Sequence, residues 1–310
     1  MAKITHLMPV KNGSRYLADS MRSIFSNASL NDEVIIINDG STDNTLEILN
    51  LYKKDFPDLR IITTKGIGIV KALNLGLAES SNEWIARFDV DDMYTDSRVN
   101  KQRATIDDGI AAIFCDYELV LDNGVSTGVI PSPVDNLATI ISLLYSQQTP
   151  HPGVVFNKNL ITDAGGYLED DFPAEDLSLW LRASRVGKLV SVPEVLLKYK
   201  ISNTSTSGSR QKDAKKKTVA LIQKYGLPIN FIKQNFDELS VTYQNYSRLP
   251  FSKERRLLFL RNIHKLHKVT PQLSRFGNST YTSYIFKNPV IVLIFMKQKA
   301  RRLIYRKFNF

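Results

Sequence analysis

Short apolar runs that stop at polar turns, each followed by apolar residues at helical spacing, leave this chain few choices of fold. Residues 3–10 read as a buried strand ending at Lys11-Asn12-Gly13, after which Tyr16, Leu17, Met21, Ile24 and Phe25 recur at a helical interval. Residues 33–38 form a second strand running into Asp39-Gly40-Ser41-Thr42-Asp43, where Ser41 or Thr42 can cap a helix over 44–52. A third strand over 59–63, a helix over 69–79 and a fourth strand from Glu83 continue the series. Alternation of this kind predicts an α/β fold with a parallel sheet covered by helices on both faces.

The fourth strand ends unusually. In E-W-I-A-R-F-D-V-D-D, residues 83–92, an apolar run delivers Asp89, Asp91 and Asp92 to a loop. Ligands of parallel α/β sheets bind beyond the carboxyl ends of strands, and carboxylate oxygens so spaced suit Mg²⁺ or Mn²⁺. The spacing alone is weak, because 21 Asp in 310 residues supply about one Asp-x-Asp by chance. A solvated acidic turn before a helix near Ser97 is the plain alternative.

Beyond Asp92 the pattern loosens. A helix is expected over 97–107, a hairpin of 111–121 with 125–130 across Asp122-Asn123-Gly124, a helix over 137–145 and a strand over 151–156. An amphipathic helix over 174–186, with Trp180 read as core, precedes strands over 189–192 and 195–201. The turn-forming run 202–209 marks a boundary, after which helices are expected over 211–225, 252–268 and 288–310.

Charge supports that division. Residues 1–207 hold 19 Lys and Arg against 27 Asp and Glu, whereas residues 208–310 hold 22 against 4. Two regions are therefore expected, a domain over 1–207 and a basic helical extension over 208–310. In the last stretch V-I-V-L-I-F-M precedes Lys297, Lys299, Arg301, Arg302, Arg306 and Lys307, which suits a helix lying on an anionic membrane surface. A helix packed on its own domain with a solvated basic face is the alternative. The longest apolar run, residues 290–296, is far shorter than the ~18 residues of a spanning helix. The N-terminus is not organised as a signal peptide. A single cysteine, Cys115, leaves no internal disulfide or thiolate zinc cluster and fits a reducing compartment. The expectation is a cytoplasmic protein, peripheral on the inner face of the cell membrane.

Three acidic loops now stand out: Asp39 with Asp43, Asp89 to Asp92, and Glu175-Asp176 at a helix start. Together with L-M-P-V-K-N-G-S-R-Y-L, E-V-I-I-I-N-D-G-S-T-D-N-T, K-A-L-N-L-G-L-A, W-I-A-R-F-D-V-D-D and A-E-D-L-S-L-W-L-R, they occur in an order that resembles the family 2 inverting glycosyltransferases of GT-A fold. The resemblance covers residues 1 to about 200. It implies a Rossmann-like, mostly parallel sheet between helices, a nucleotide-sugar donor, usually a UDP-sugar, and a divalent metal, Mn²⁺ or Mg²⁺. It also implies a hydroxyl acceptor on a glycan or lipid-linked saccharide.

Residue by residue, the resemblance places Asp39 on the nucleotide base, with Pro9, Val10 and Asn12 lining it. It places Lys71, Asn74, Arg87, Asp92 and Glu175 near the donor, Asp89 toward ribose, sugar or metal, and Asp91 on the metal itself. Asp176 matches the catalytic base, and His151 matches a histidine-proline segment near the diphosphate. A family histidine after the Tyr199-Lys200 pair is replaced here by Ser202, so water, His151 or weaker coordination must complete a metal shell. Each assignment has a structural rival: Asp39 and Asp43 as helix caps, Glu175 and Asp176 as partners of a helix dipole, His151 as a core histidine.

Other classes fit less well. A sugar-phosphate nucleotidyltransferase normally carries a glycine-rich basic loop after its first strand, and no Gly-x-Gly-x-x-Gly of a nicotinamide enzyme follows any strand. The acidic first region argues against a nucleic-acid enzyme; the basic last third keeps a non-catalytic binder of anionic polymer as an alternative.

Overall fold

The computed structural model describes residues 1–145, 149–201 and 211–225. These fall in a compact unit, Met1–Leu227. The run 202–209 and the expected helices over 252–268 and 288–310 lie outside the described residues. The compact unit takes in a helix, Gln211–Tyr225, that the charge division assigned to the basic extension.

Strands β1 (Ile4–Val10), β2 (Glu33–Asp39), β3 (Arg60–Thr64) and β4 (Trp84–Arg87) pair in parallel in the order β3-β2-β1-β4. Helices α1 (Leu17–Asn27), α2 (Thr45–Asp55) and α3 (Ile69–Glu79) connect them. Successive strand residues face opposite sides of a sheet, and the core divides accordingly. Leu7, Ile35 and Ile37 join Val70, Leu73 and Leu77 of α3 on one face. Ile4, Met8, Val34 and Ile36 join Leu17, Met21 and Ile24 of α1 and Leu49 of α2 on the other. Each such side chain contributes about 1.5–3 kcal/mol of burial, which is why the apolar runs are continuous where both faces are covered. Gly76 lets α3 close on β1, since a Cβ there would lie 2.4 Å from Leu7 Cδ1.

The second half is mixed rather than parallel. After β5 (Met93–Tyr94) and α4 (Arg98–Arg103) come β6 (Ile110–Leu121) and β7 (Ser126–Ile130), the expected hairpin. Helix α5 (Asn136–Tyr145), β8 (Val155–Asn157), α6 (Lys158–Asp163), α7 (Glu175–Ala183), β9 (Lys188–Ile201) and α8 (Gln211–Tyr225) complete the described elements. Strand β8 runs antiparallel to both β4 and β6, β6 is parallel to β9, and β5 pairs antiparallel with β9. Strands β1, β2, β3, β4, β6 and β9 therefore share one direction, and β5, β7 and β8 oppose it.

Four local expectations change. The strands expected over 189–192 and 195–201 are one strand, because Pro193 and Glu194 sit at a bulge where the pairing jumps from Cys115–Val192 to Asp116–Val195. A bulge accommodates the missing proline donor without ending the strand. The strand expected over 151–156 shrinks to Val155–Asn157, since His151 begins a buried turn instead. Helix α4 is shorter than the expected 97–107. Ser41 and Thr42 do not cap α2; both turn back to Asn12.

Candidate active site

The carboxyl ends of β2, β1 and β4 lie side by side, and three loops rise from them. On the β2 side, Asp39 is 5% exposed and accepts hydrogen bonds from Thr64 Oγ1 at 2.6 Å, Ile67 N at 2.7 Å and Gly68 N at 2.9 Å. Burial pushes its pKa up, but these three donors and the Lys11 charge outweigh it and hold the carboxyl below its usual range. Pro9 and Val10 end β1 opposite Ile37 and Asn38, so they flank Asp39. Asn12 adopts φ 54, a conformation asparagine tolerates, and accepts from Thr42 N at 2.7 Å while its own N–H donates to Ser41 Oγ at 2.9 Å. Asp43 accepts from Ser14 N at 3.1 Å and Thr45 N at 3.0 Å, and despite some desolvation its pKa is held at about 2.

The loop after β4 is built differently. Arg87 is buried, and its NH2 lies 2.7 Å from Asp89 Oδ1. Burial disfavours its charge, yet the Asp89 carboxylate keeps the guanidinium protonated. Its Nε and NH1 have no hydrogen-bond partner among the described residues. Asp92 Oδ1 accepts from Lys200 N at 2.8 Å, which joins this loop to β9. Burial first, and then the neighbouring Asp89 charge, raise the pKa of both Asp91 and Asp92. Negative charge here exceeds what the protein itself neutralises.

Glu175 and Asp176 open α7, and Asp176 Oδ1 accepts from Leu177 N at 2.7 Å. Burial and the adjacent Asp176 charge push Glu175 up to about 7, and burial raises Asp176 as well. The Arg87 charge lowers both pKa values and the Asp89 charge raises both. Interactions of that kind fall off steeply with distance. Residues 86 positions apart in sequence thus share one field, centred on Arg87.

His151 belongs to the same neighbourhood. Its Nε2 is 2.8 Å from Tyr167 Oη, its ring is edge-on to Trp180 at 5.9 Å, and burial followed by the Arg87 charge keeps it neutral. Trp180 is wholly buried, against Phe114, as expected of core. Lys71 Nζ pairs with Glu169 Oε2 at 3.1 Å, and Asn74 bonds the backbone of Tyr167. Neither Tyr167 nor the Lys200 backbone contact with Asp92 is signalled by motif, and Tyr167 is new to the site. The one local sign of the former was its place after Gly165-Gly166, both at positive φ.

Among the described residues, no group of three His, Cys, Asp or Glu side chains is arranged to hold a metal ion. The carboxylates of Asp89 and Asp91, oxygen donors two residues apart, are the kind of ligand that would suit a hard divalent cation. Ser202 lies outside the described residues.

Against known proteins, the model of Glycosyl transferase family 2 matches residues 5–128. The match takes in β1 to β6, the half of the domain that carries the Asp39 and Asp89–Asp92 loops. An uncharacterized glycosyltransferase of Haemophilus influenzae is 30% identical to this chain over 210 residues, 63% of this chain and 64% of the relative. A second, from Rickettsia bellii, is 26% identical, and the alignment spans 30% of its length. The chain therefore spans less than two thirds of these relatives. Among solved structures, S. aureus TarS 1–349 in complex with UDP-GlcNAc superposes with a TM-score of 0.61 at 18% identity, over 84% of this chain and 79% of that one. The mannosyltransferase PcManGT of Pyrobaculum calidifontis, in complex with GDP-Man and Mn²⁺, gives 0.58 at 15% identity, over 94% and 85%. The described domain shares the GT-A fold of these structures.

Proposed function

We propose that this chain is a metal-dependent inverting glycosyltransferase that moves a sugar from a nucleotide-sugar, a UDP-sugar in the first instance, to a hydroxyl of a glycan or lipid-linked glycan. The observation that supports this most is the gathering of the Asp89–Asp92 loop and the Glu175-Asp176 helix start around one buried arginine. A relative in Escherichia coli, 28% identical over 57% of this chain, is named UDP-Gal:alpha-D-GlcNAc-diphosphoundecaprenol beta-1,3-galactosyltransferase. TarS holds UDP-GlcNAc and PcManGT holds GDP-Man with Mn²⁺.

In this mechanism Asp39, with Pro9, Val10 and Asn12 beside it, meets the nucleotide base, and Arg87 and Asp92 shape the sugar-facing floor. Asp91, with Asp89, would hold Mn²⁺ or Mg²⁺, which neutralises charge on a leaving diphosphate. Asp176 accepts the proton of the acceptor hydroxyl as its oxygen attacks the anomeric carbon and the bond to phosphate breaks on the opposite side. A raised proton affinity suits Asp176 to that task. Glu175, about half protonated at neutral pH, stays close to the donor without adding a full charge.

Membrane placement is part of the proposal. No helix among the described residues is long and apolar enough to cross a membrane. The basic stretch 288–310, outside the described residues, supplies the anionic-surface contact that a lipid-linked acceptor calls for. Loss of 288–310 should abolish co-sedimentation with anionic liposomes; unchanged pelleting would refute that assignment. The activity is tested with a nucleotide-sugar panel in Mn²⁺ or Mg²⁺, read as released nucleotide and thermal shift. Release with a UDP-sugar and none in EDTA is expected. Absence of binding and release with every donor would refute it.

A further inference from the structure

The segment between α6 and α7 delivers Glu175 and Asp176, and side chains from two directions hold its backbone. From α7 itself, Arg182 donates to the carbonyls of Ala164 and Gly166, the latter at 2.7 Å, and Ser178 donates to the Asp171 carboxylate. From α3 comes a second attachment. Asn74 Nδ2 donates to Tyr167 O at 2.8 Å while Tyr167 N donates to Asn74 Oδ1 at 3.0 Å, a two-bond clamp between residues 93 apart. Tyr167 is 2% exposed, and its hydroxyl is the partner of His151 Nε2.

The fit is close on every side. Gly166 has φ 61, and a Cβ there would lie 3.0 Å from Asn74 Oδ1, so glycine is the residue that passes the clamp without strain. An amide that donates to and accepts from the same residue fixes that residue in both position and rotation. The Lys71–Glu169 pair runs alongside, but both side chains are more than half exposed and such pairs contribute little. At its other end α3 is joined to the base side of the cleft, because Gly68 N donates to Asp39. One helix thus connects the segment carrying the proposed base to the loop proposed to read the nucleotide.

The structure assigns Asn74 and Tyr167 as positioning residues for Asp176: they hold the 164–174 segment in register with the donor side of the cleft and do not themselves touch the nucleotide. This rests on the glycosyltransferase reading, and differs from the role near the nucleotide that resemblance gave Asn74. Misplacement of a reacting group by about 1 Å can cost 10²-fold in rate, while ground-state donor contacts stay intact.

The test compares wild type, Asn74→Ala and Tyr167→Phe in full-length protein, measuring UDP-sugar dissociation constant, transfer turnover and amide hydrogen exchange of residues 165–176. Asn74→Ala should lower turnover about 10- to 100-fold with donor affinity within about twofold, and speed exchange in the segment at least about tenfold. Tyr167→Phe, which removes only the hydroxyl and leaves His151 Nε2 without its partner, should lower turnover by a smaller factor at unchanged donor affinity, with a melting temperature lowered by a few degrees. Weakened donor binding at wild-type turnover would make Asn74 a donor contact and overturn the assignment. So would unchanged turnover and exchange in both variants. If wild type transferred no sugar, the functional reading would fall, and the exchange of 165–176 would still decide whether the clamp exists.

Discussion

Two sets of buried or half-buried carboxylates in this domain behave in opposite ways. Asp32 and Asp43 are surrounded by donors. Asp32 is desolvated, yet bonds from His6, Ser29 N, Ile4 N and Arg103 bring its pKa to about 2. Asp91, Asp92, Glu175 and Asp176 are also desolvated, but there burial, with neighbouring carboxylates, outweighs the donors and the Arg87 charge, and their pKa values rise. The first set is satisfied by the fold. The second is left with a demand for positive charge or protons, the kind of perturbation that clusters at functional sites.

If that distinction holds, substitutions in the two sets should separate rate from stability. The largest effect is expected at Asp176: Asp176→Asn should keep donor binding and lower transfer about 10³-fold, in the range for loss of a general base. Asp91→Ala should lose both donor affinity and transfer, and added Mn²⁺ should not restore either at the concentrations that saturate wild type. Asp32→Ala belongs to the other class. It strands the buried Arg103 and His6, and should cost about 3 kcal/mol in denaturant unfolding with little direct effect on chemistry. The sign follows from a depressed carboxylate: the Asp32 contribution is present above an unfolded pKa near 3.8 and is lost as pH falls toward about 2.

The smallest effect has the opposite sign. A carboxyl whose folded pKa is raised from 4.5 to about 7 stabilises the fold most below pH 4.5, and that advantage disappears as pH rises through 7. Glu175→Gln should therefore raise the melting temperature by about 2–4 °C at pH 8, the shift expected of ~1 kcal/mol in a domain of this size, and by less at pH 4. A lower melting temperature at pH 8 would blur the line between the two sets.

What could be read from sequence follows the range of the forces involved. The β1–β4 alternation and helix α3 over Ile69–Glu79 were legible because apolar periodicity is a local pattern imposed by burial. The three acidic loops were legible because strand ends are local too. Strands as short as β5 and β8, two and three residues long, carry no period to detect, and their antiparallel pairing is decided by partners far along the chain. The same holds for Lys200 N on Asp92, 108 residues away, and for Asn74 on Tyr167. The His6–Asp32–Arg103 network was hidden for a further reason: a histidine inside an apolar strand looks like any core residue until its partner is seen.

The claim beneath all of this is that the β4 loop and the start of α7 share one electrostatic environment, and carboxyl titration of Glu175 by ¹³C NMR tests it without any substrate. In wild type the midpoint should lie near 7. In Asp89→Asn, where a neighbouring negative charge is gone and Arg87 is freed, the midpoint should move clearly downward. A Glu175 midpoint unmoved by that substitution would show that the two acidic loops do not form one site.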